Sequence, residues 1–349
     1  VNGQGAVTIT SNLAFTLEPS NSCETRITGF TFTGASTNPP NCDINISSSI
    51  GDGTSTYRID HNTFTDLTSA IFICAAGGGP GVIDHNTFNV TGAAEDIHNL
   101  GYGTGSSTGW TNSVIPGSLN ALYIETNTFN NSDPTFICSI TEGYYGSRTV
   151  VRYNTMNFCQ VDQHGTSGAV GARWFEIYDN TFNNLNQNQC CVVTIRGGSG
   201  VIFANTHTGN NASDPQSIAI YYDGSGGSNT WPAAWQPGSG IGGNANPHGS
   251  CGGGTLNSAP IQLWGNDTFW NPIQLSTSGV AGQVVLNRDV FTTTSATVPN
   301  PISWEEQSGD TCSTTYNYAP AVYPHPLVSG ATGSGLNGGV KITSGASVQ

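Results

Sequence analysis

An apolar residue, two polar or small positions, an Asn or Asp, another polar position and a Phe form a hexad that returns about nine times along the chain. It reads ITGFTF at 27–32, IDHNTF at 59–64 and 83–88, IETNTF at 124–129, VRYNTM at 151–156, IYDNTF at 177–182, IFANTH at 202–207, WGNDTF at 264–269 and LNRDVF at 286–291. The fourth positions are Phe30, Asn62, Asn86, Asn127, Asn154, Asn180, Asn205, Asp267 and Asp289. Their spacings of 32, 24, 41, 27, 26, 25, 62 and 22 residues mostly fit one turn of a β-solenoid.

One such coil cannot bury its apolar face alone. Stacking solves this, because each Ile and Phe lands on its equivalent in the next coil, about 4.8 Å away. Asn at the fourth position suits the bend: it tolerates left-handed backbone geometry, and amides one coil apart can form ladders. No helical periodicity of useful length competes with this pattern. The expected fold is all-β, a parallel β-helix (β-solenoid) of about nine to eleven coils.

The repeat runs without a linker, so residues 1–349 are expected to form a single β-helix domain, with a lead-in strand at 1–20 and a C-terminal cap and tail at 296–349. Two long spacings place loop insertions at 92–121 and 209–260. Loops this long usually carry function. Trp110 in the first, with Trp231 and Trp235 in the second, are candidates for stacking on sugar rings. VTITS at 7–11 and VKITS at 340–344 share a strand pattern whose apolar positions are Val7, Ile9, Val340 and Ile342. The tail can therefore pair as a strand on its own solenoid or on a neighbour.

Composition narrows the partners. With 8 basic against 22 acidic residues, a nucleic acid held by charge is excluded as a partner, and no run of 18 apolar residues offers a membrane span. Only 9% of residues are charged and 46 are Gly, a makeup expected of an extracellular protein whose leader has been removed. Nine cysteines beside one Met point the same way. Cys23 with Cys42, and Cys251 with Cys312, are expected disulfides. Contacts between coils are open to Cys74, Cys138, Cys190 and Cys191, and the odd count leaves one thiol free or bonded to another chain.

Aligned coils put Asp60, Asp84 and Glu125 in one column two residues before the bend, followed by Arg152, with His61 and His85 in the next column. Stacked carboxylates repel, so they must take up protons, pair with cations or bind a metal such as Ca²⁺. Both a Ca²⁺ site and a solvated ladder eased by Arg58, Arg152 and the histidines fit the sequence. His98, beside Glu95 and Asp96, is a loop candidate for acid/base work.

The I-x-x-N-T-F coils from about residue 20 to 330 resemble those of the pectin-lyase-like superfamily of secreted, right-handed parallel β-helix proteins. That resemblance implies a carbohydrate function. The NTD, DD, GHG and RIK segments of its polygalacturonase-like hydrolases are missing; only QHG at 163–165, carrying His164, and TIRGG at 194–198 come near. Asp60, Asp84, Glu125 and Arg152 are a faint echo of its calcium-dependent lyases. The leading expectation is accordingly an extracellular structural protein that self-associates, head to tail into a filament. The alternatives are a polysaccharide lyase or glycoside hydrolase acting in a groove, with Arg152, His98 and His164 as weak catalytic candidates, or a non-catalytic glycan-binding protein.

Overall fold

The computed structural model describes residues 2–10, 15–18, 25–33, 42–46, 56–66, 72–75, 80–92, 94–101, 116–144, 146–164, 172, 174–183, 191–196, 198–208, 218–221, 261–266, 273–276, 290–293, 302–304, 314–316, 318–330, 339–342 and 347–348. It is a parallel β-helix, as the repeat predicts. A 17-stranded and a 10-stranded sheet enclose one apolar core.

Each coil contributes strands on either side of the Asn bend and a third strand to the second sheet. Before the bend, Thr25–Thr33, Tyr57–Asp60, Gly81–Asp84, Leu122–Glu125, Arg148–Arg152, Trp174–Tyr178, Ser199–Phe203, Ile261–Trp264 and Val290–Thr293 pair in parallel, one on the next. In the second sheet, Phe15–Glu18, Ile44–Ile46, Ile73–Ala75, Ala94–Asn99, Cys138–Gly143, Gln160–Gln163, Val193–Ile195, Ile218–Tyr221 and Ile273–Ser276 do the same.

The core follows from the hexad. Its first position stacks Ile27, Ile59, Ile83, Ile124, Val151, Ile177 and Ile202, all fully buried. Its sixth position stacks Phe32, Phe64, Phe88 and Phe129 with ring centroids 4.6–4.8 Å apart and planes within 10°. Met156, Phe182 and His207 continue that column, with His207 standing as a buried substitute for Phe. Burying each such side chain contributes roughly 1.5–3 kcal/mol.

The bend is an amide ladder. The backbone N–H groups of Asn62, Asn86, Asn127, Asn154, Asn180 and Asn205 each donate to the side-chain oxygen of the next Asn at 2.9–3.1 Å. Each Nδ2 also donates to that oxygen at 3.0–3.1 Å. The left-handed residue is the one before the Asn: His61, His85, Thr126, Tyr153, Asp179 and Ala204 have φ between 52° and 59°. That conformation costs a non-glycine residue about 1–2 kcal/mol, and the ladder offsets it.

Several expectations need correction. Asn266, not Asp267, continues the ladder, because Leu263 stacks on Ile202 and Trp264 on Phe203. Val290 pairs with Ile261, so Asp289 is out of register with the Asn column. Cys42 bonds to Cys74 rather than to Cys23, since Cys42 and Cys74 sit on adjoining coils with Cα atoms 5.7 Å apart. A second bond joins Cys138 to Cys159, and Cys191 is also disulfide-bonded. Ala94–Asn99 and Ile218–Tyr221 are second-sheet strands, which shortens both proposed insertions. Cys23, Cys251, Cys312, Trp110, Trp231 and Trp235 lie outside the described residues.

The C-terminal segment returns along the molecule as a strap. Tyr318 packs edge-on against Phe203 and Trp264, Tyr323 stacks on Tyr153 at 3.7 Å, and the short helix Pro326–Gly330 reaches Arg58. Beyond it, Gly339–Ile342 pairs antiparallel with Phe15–Glu18, placing Val340 opposite Leu17 and Ile342 opposite Phe15. Ser347–Val348 pairs antiparallel with Asn2–Thr10, placing Val348 opposite Ile9, while Val7 pairs in parallel with Phe30. The two similar strands thus join different sheets of one chain. Among the described residues no helix is long and apolar enough to cross a membrane, and the disulfides are compatible with a non-cytoplasmic protein.

Candidate functional site

Two polar clusters compete for the chemistry. The first is the predicted column, whose register is as expected: Asp60, Asp84, Glu125 and Arg152 are successive Cα partners. The column is buried rather than solvated, while Arg58, Arg152, His61 and His85 pair with its carboxylates as expected. Arg26 binds Asp60 through two nitrogens at 2.7 and 2.6 Å, and Arg58 binds Asp84 in the same way at 2.8 and 2.7 Å. Arg152 holds Glu125 at 2.6–2.7 Å. The partnering cations come from the column two residues upstream or from the next coil.

The strap completes this shell. Arg152 donates to the Ala321 and Val322 carbonyls at 2.8 and 2.9 Å, and the His325 N–H donates to Glu125 at 2.8 Å. Burial pushes the Asp60 carboxyl up, but Arg26, His61 and Arg58 outweigh it and hold the group below its ordinary range. A Ca²⁺ ion there would have to displace three arginines. The column forms a charge-compensated internal seam that binds the strap, and Arg152 is enclosed by the rings of Tyr123, Tyr178 and Tyr323.

The second cluster lies on the second sheet. Parallel pairing places His98 opposite Glu142, Glu142 opposite Asp162, and Asp162 opposite Thr194. These residues stand one coil apart in a row, with Glu95, Tyr144, His164 and Arg196 beside it. Arg196 reaches Glu142 at 2.6 Å and Asp162 at 2.5 and 3.1 Å. The Tyr144 hydroxyl donates to Glu142, and its ring stacks on His164 at 4.1 Å and meets His98 edge-on at 4.8 Å. One atom each from Glu95, His98 and Glu142 lie within 4.8 Å of one another. His98 and His164, predicted separately, are thus brought to either side of one tyrosine.

Burial perturbs the acids of this row. Burial and the adjacent Glu95 push Glu142 up to about 7 against the pull of Arg196. Burial pushes Asp162 up to about 6 despite Arg196. Burial also raises Glu95, which shares a hydrogen bond with Glu142. His98 falls to about 4 through burial and the nearby His164, and neither of its ring nitrogens has a hydrogen-bond partner among the described residues. Glu95 is the most open member of this trio, its side chain 38% exposed.

Glu142, Asp162 and Tyr144 were missed by sequence reasoning, and Arg196 entered only within TIRGG, since no repeated motif marks the second-sheet strand. The usable signal was local: His98 has two acidic neighbours, Glu95 and Asp96, in AEDIH, and ITEGYYG and VDQHG each join an acid to an aromatic or His. Comparison of the sequence with family models and curated proteins, and of the structure with solved structures, gives no match.

Proposed function

We propose that the chain is a glycoside hydrolase acting on neutral glycans, with Glu142 as general acid and Asp162 as its carboxylate partner. The observation that supports this most is the Glu142–Arg196–Asp162 unit: two carboxyl groups one coil apart, bridged by one guanidinium, with values of about 7 and about 6. Cleaving a glycosidic bond takes one carboxyl that is still protonated and one that is ionised. The two values meet that demand between them, because Asp162 loses its proton first.

Side chains on adjacent coils are about 4.8 Å apart, close to the roughly 5–5.5 Å of retaining enzymes and too near to admit a water between them. Glu142 therefore protonates the leaving oxygen while Asp162 attacks the anomeric carbon; Glu142, now ionised, then takes a proton from the water that attacks that carbon, and the bond to Asp162 breaks to release the sugar with retained configuration. Tyr144 positions Glu142 through its hydrogen bond. Arg196 favours the ionised Asp162. A β-eliminating lyase needs a cation for the substrate's uronate carboxylate, whereas Arg196 already serves two protein carboxylates and the chain carries a net charge of −14. That balance favours neutral substrates.

The test is reducing-end release from a panel of neutral glucans, xylans and mannans beside polyuronates, with product anomers followed by proton NMR. Activity on a neutral glycan that falls by about three orders of magnitude in Glu142→Gln and Asp162→Asn supports the assignment. Cleavage of polyuronates alone, with unsaturated products, refutes it.

A further inference from the structure

Beside the Glu142–Arg196–Asp162 unit, the second sheet gathers Glu142 with Glu95 and His98. His98 lies opposite Glu142 in the parallel register, and Glu95 precedes His98 on the strand Ala94–Asn99. Asp96 and Ile97, between them, are fully buried. Glu95 Oε2 stands 4.0 Å from His98 Nε2, and one ligand-competent atom from each of the three residues lies within 4.8 Å of the others. His98 is the anomaly of the group. Both of its ring nitrogens are sealed from solvent, and neither has a hydrogen-bond partner among the described residues. Packing holds the ring instead, edge-on to Tyr144 at 4.8 Å. Glu95 and Glu142 share a hydrogen bond, which between two carboxyl groups requires a bridging proton. An unsatisfied imidazole next to two proton-bridged acids is a donor set suited to a cation.

We propose that Glu95, His98 and Glu142 form a binding site for a divalent transition ion of the zinc class. One imidazole and two carboxylates are ligand types that such an ion takes, and three protein groups leave a fourth position open. Calcium fits poorly, because it takes about six to eight oxygens. Ligands about 2.0–2.1 Å from one zinc in a tetrahedral array stand about 3.3 Å apart, so binding draws the three atoms together by roughly 1 Å. Glu95 can make that movement, as its side chain is the open one. The ion enters from that side and replaces the bridging proton. Arg196 and the Tyr144 hydroxyl engage the two oxygens of Glu142, each of which can accept more than one bond. These two residues serve as outer partners that orient a ligand.

The site stands on its own geometry, whereas its effect on turnover rests on the reading of Glu142 as general acid. A Glu142 bound to zinc has no proton to give. Occupancy and turnover therefore exclude each other, and zinc is a reversible inhibitor.

Isothermal titration calorimetry tests the site on the full chain, stripped with EDTA and titrated with zinc chloride. The expected result is one tightly held ion that equimolar calcium chloride does not displace. His98→Gln and Glu95→Gln should each weaken it by more than about a hundredfold, beyond the loss from disturbing an outer partner. The double variant His61→Ala/His85→Ala, which removes the exposed imidazole pair, should keep it. NMR of the ring nitrogens in the unaltered protein covers the case of a variant that fails to fold, since zinc should move a His98 nitrogen resonance. No binding, an ion retained by both His98→Gln and Glu95→Gln, or unmoved His98 nitrogens would overturn the proposal. Glycan hydrolysis is followed at the same zinc concentrations. Loss of turnover as the site fills supports both readings. Binding with undiminished turnover, or with no turnover on any glycan, upholds the site and removes the general-acid role of Glu142.

Discussion

Asn127→Ala is the sharpest probe of the stacked coils. The Asn127 side-chain oxygen accepts from the backbone N–H and the amide of Asn86 at 2.9 and 3.1 Å. Its amide donates to the Ile83 and Glu125 carbonyls and to Asn154 at 2.8–3.1 Å. Alanine leaves the Asn86 N–H orphaned in a residue only 2% exposed, at a cost of about 1–3 kcal/mol. The other lost bonds weigh less, because the Asn86 amide keeps the Ile59 and Asp84 carbonyls. The expected total is about 2–4 kcal/mol. Asn157→Ala removes only side-chain to side-chain bonds with Asn130 and Asn183, from a half-buried site where water can replace them, and should cost about 1 kcal/mol. Urea unfolding supplies the difference, and native-state hydrogen exchange at the Asn86 amide shows whether loss begins at the orphaned donor, since stacked coils open locally. Equal costs for the two variants, or unchanged exchange at Asn86 in Asn127→Ala, would refute the ladder's role.

Arg152→Met should destabilise the protein by about 3–5 kcal/mol, because it leaves Glu125 buried without its cation; the double variant Arg152→Met/Glu125→Leu should recover much of this in thermal unfolding. Glu142 and Asp162 have folded-state values raised to about 7 and about 6. Their contribution is therefore full below about pH 4 and is lost as pH rises through 6 to 7; unfolding titrations should show that decline, and Glu142→Gln should flatten its upper part. Activity should be bell-shaped, rising as Asp162 ionises near pH 6 and falling as Glu142 ionises near pH 7. Replacing Cys138 and Cys159 by serine should cost about 2–4 kcal/mol in denaturant melts.

What the chain discloses directly is whatever repeats. The Ile, Asn and Phe columns were legible because one coil constrains the next, and the register of Asp60, Asp84 and Glu125 came with them. Their burial did not, because the strap that encloses Arg152 and Glu125 is supplied some 170–200 residues downstream. Asn266 was misassigned because WGNDTF offers two plausible fourth positions, and only stacking of Leu263 on Ile202 separates them. The second-sheet site was illegible for a related reason. Its strands share inward apolar residues but no fixed outward motif, so His98, Glu142 and Asp162 are neighbours in register and strangers in sequence.

The chain holds two rows of buried acids, one tied to arginines and the strap and one to which the proposal assigns the chemistry. Parallel measurement of melting temperature and glycan hydrolysis for Glu125→Gln and Glu142→Gln tests that division most directly. Glu125→Gln should lower the melting temperature while folded molecules keep their turnover, and Glu142→Gln should abolish turnover without lowering the melting temperature at neutral pH. The reverse pattern, or loss of both properties in both variants, would contradict it.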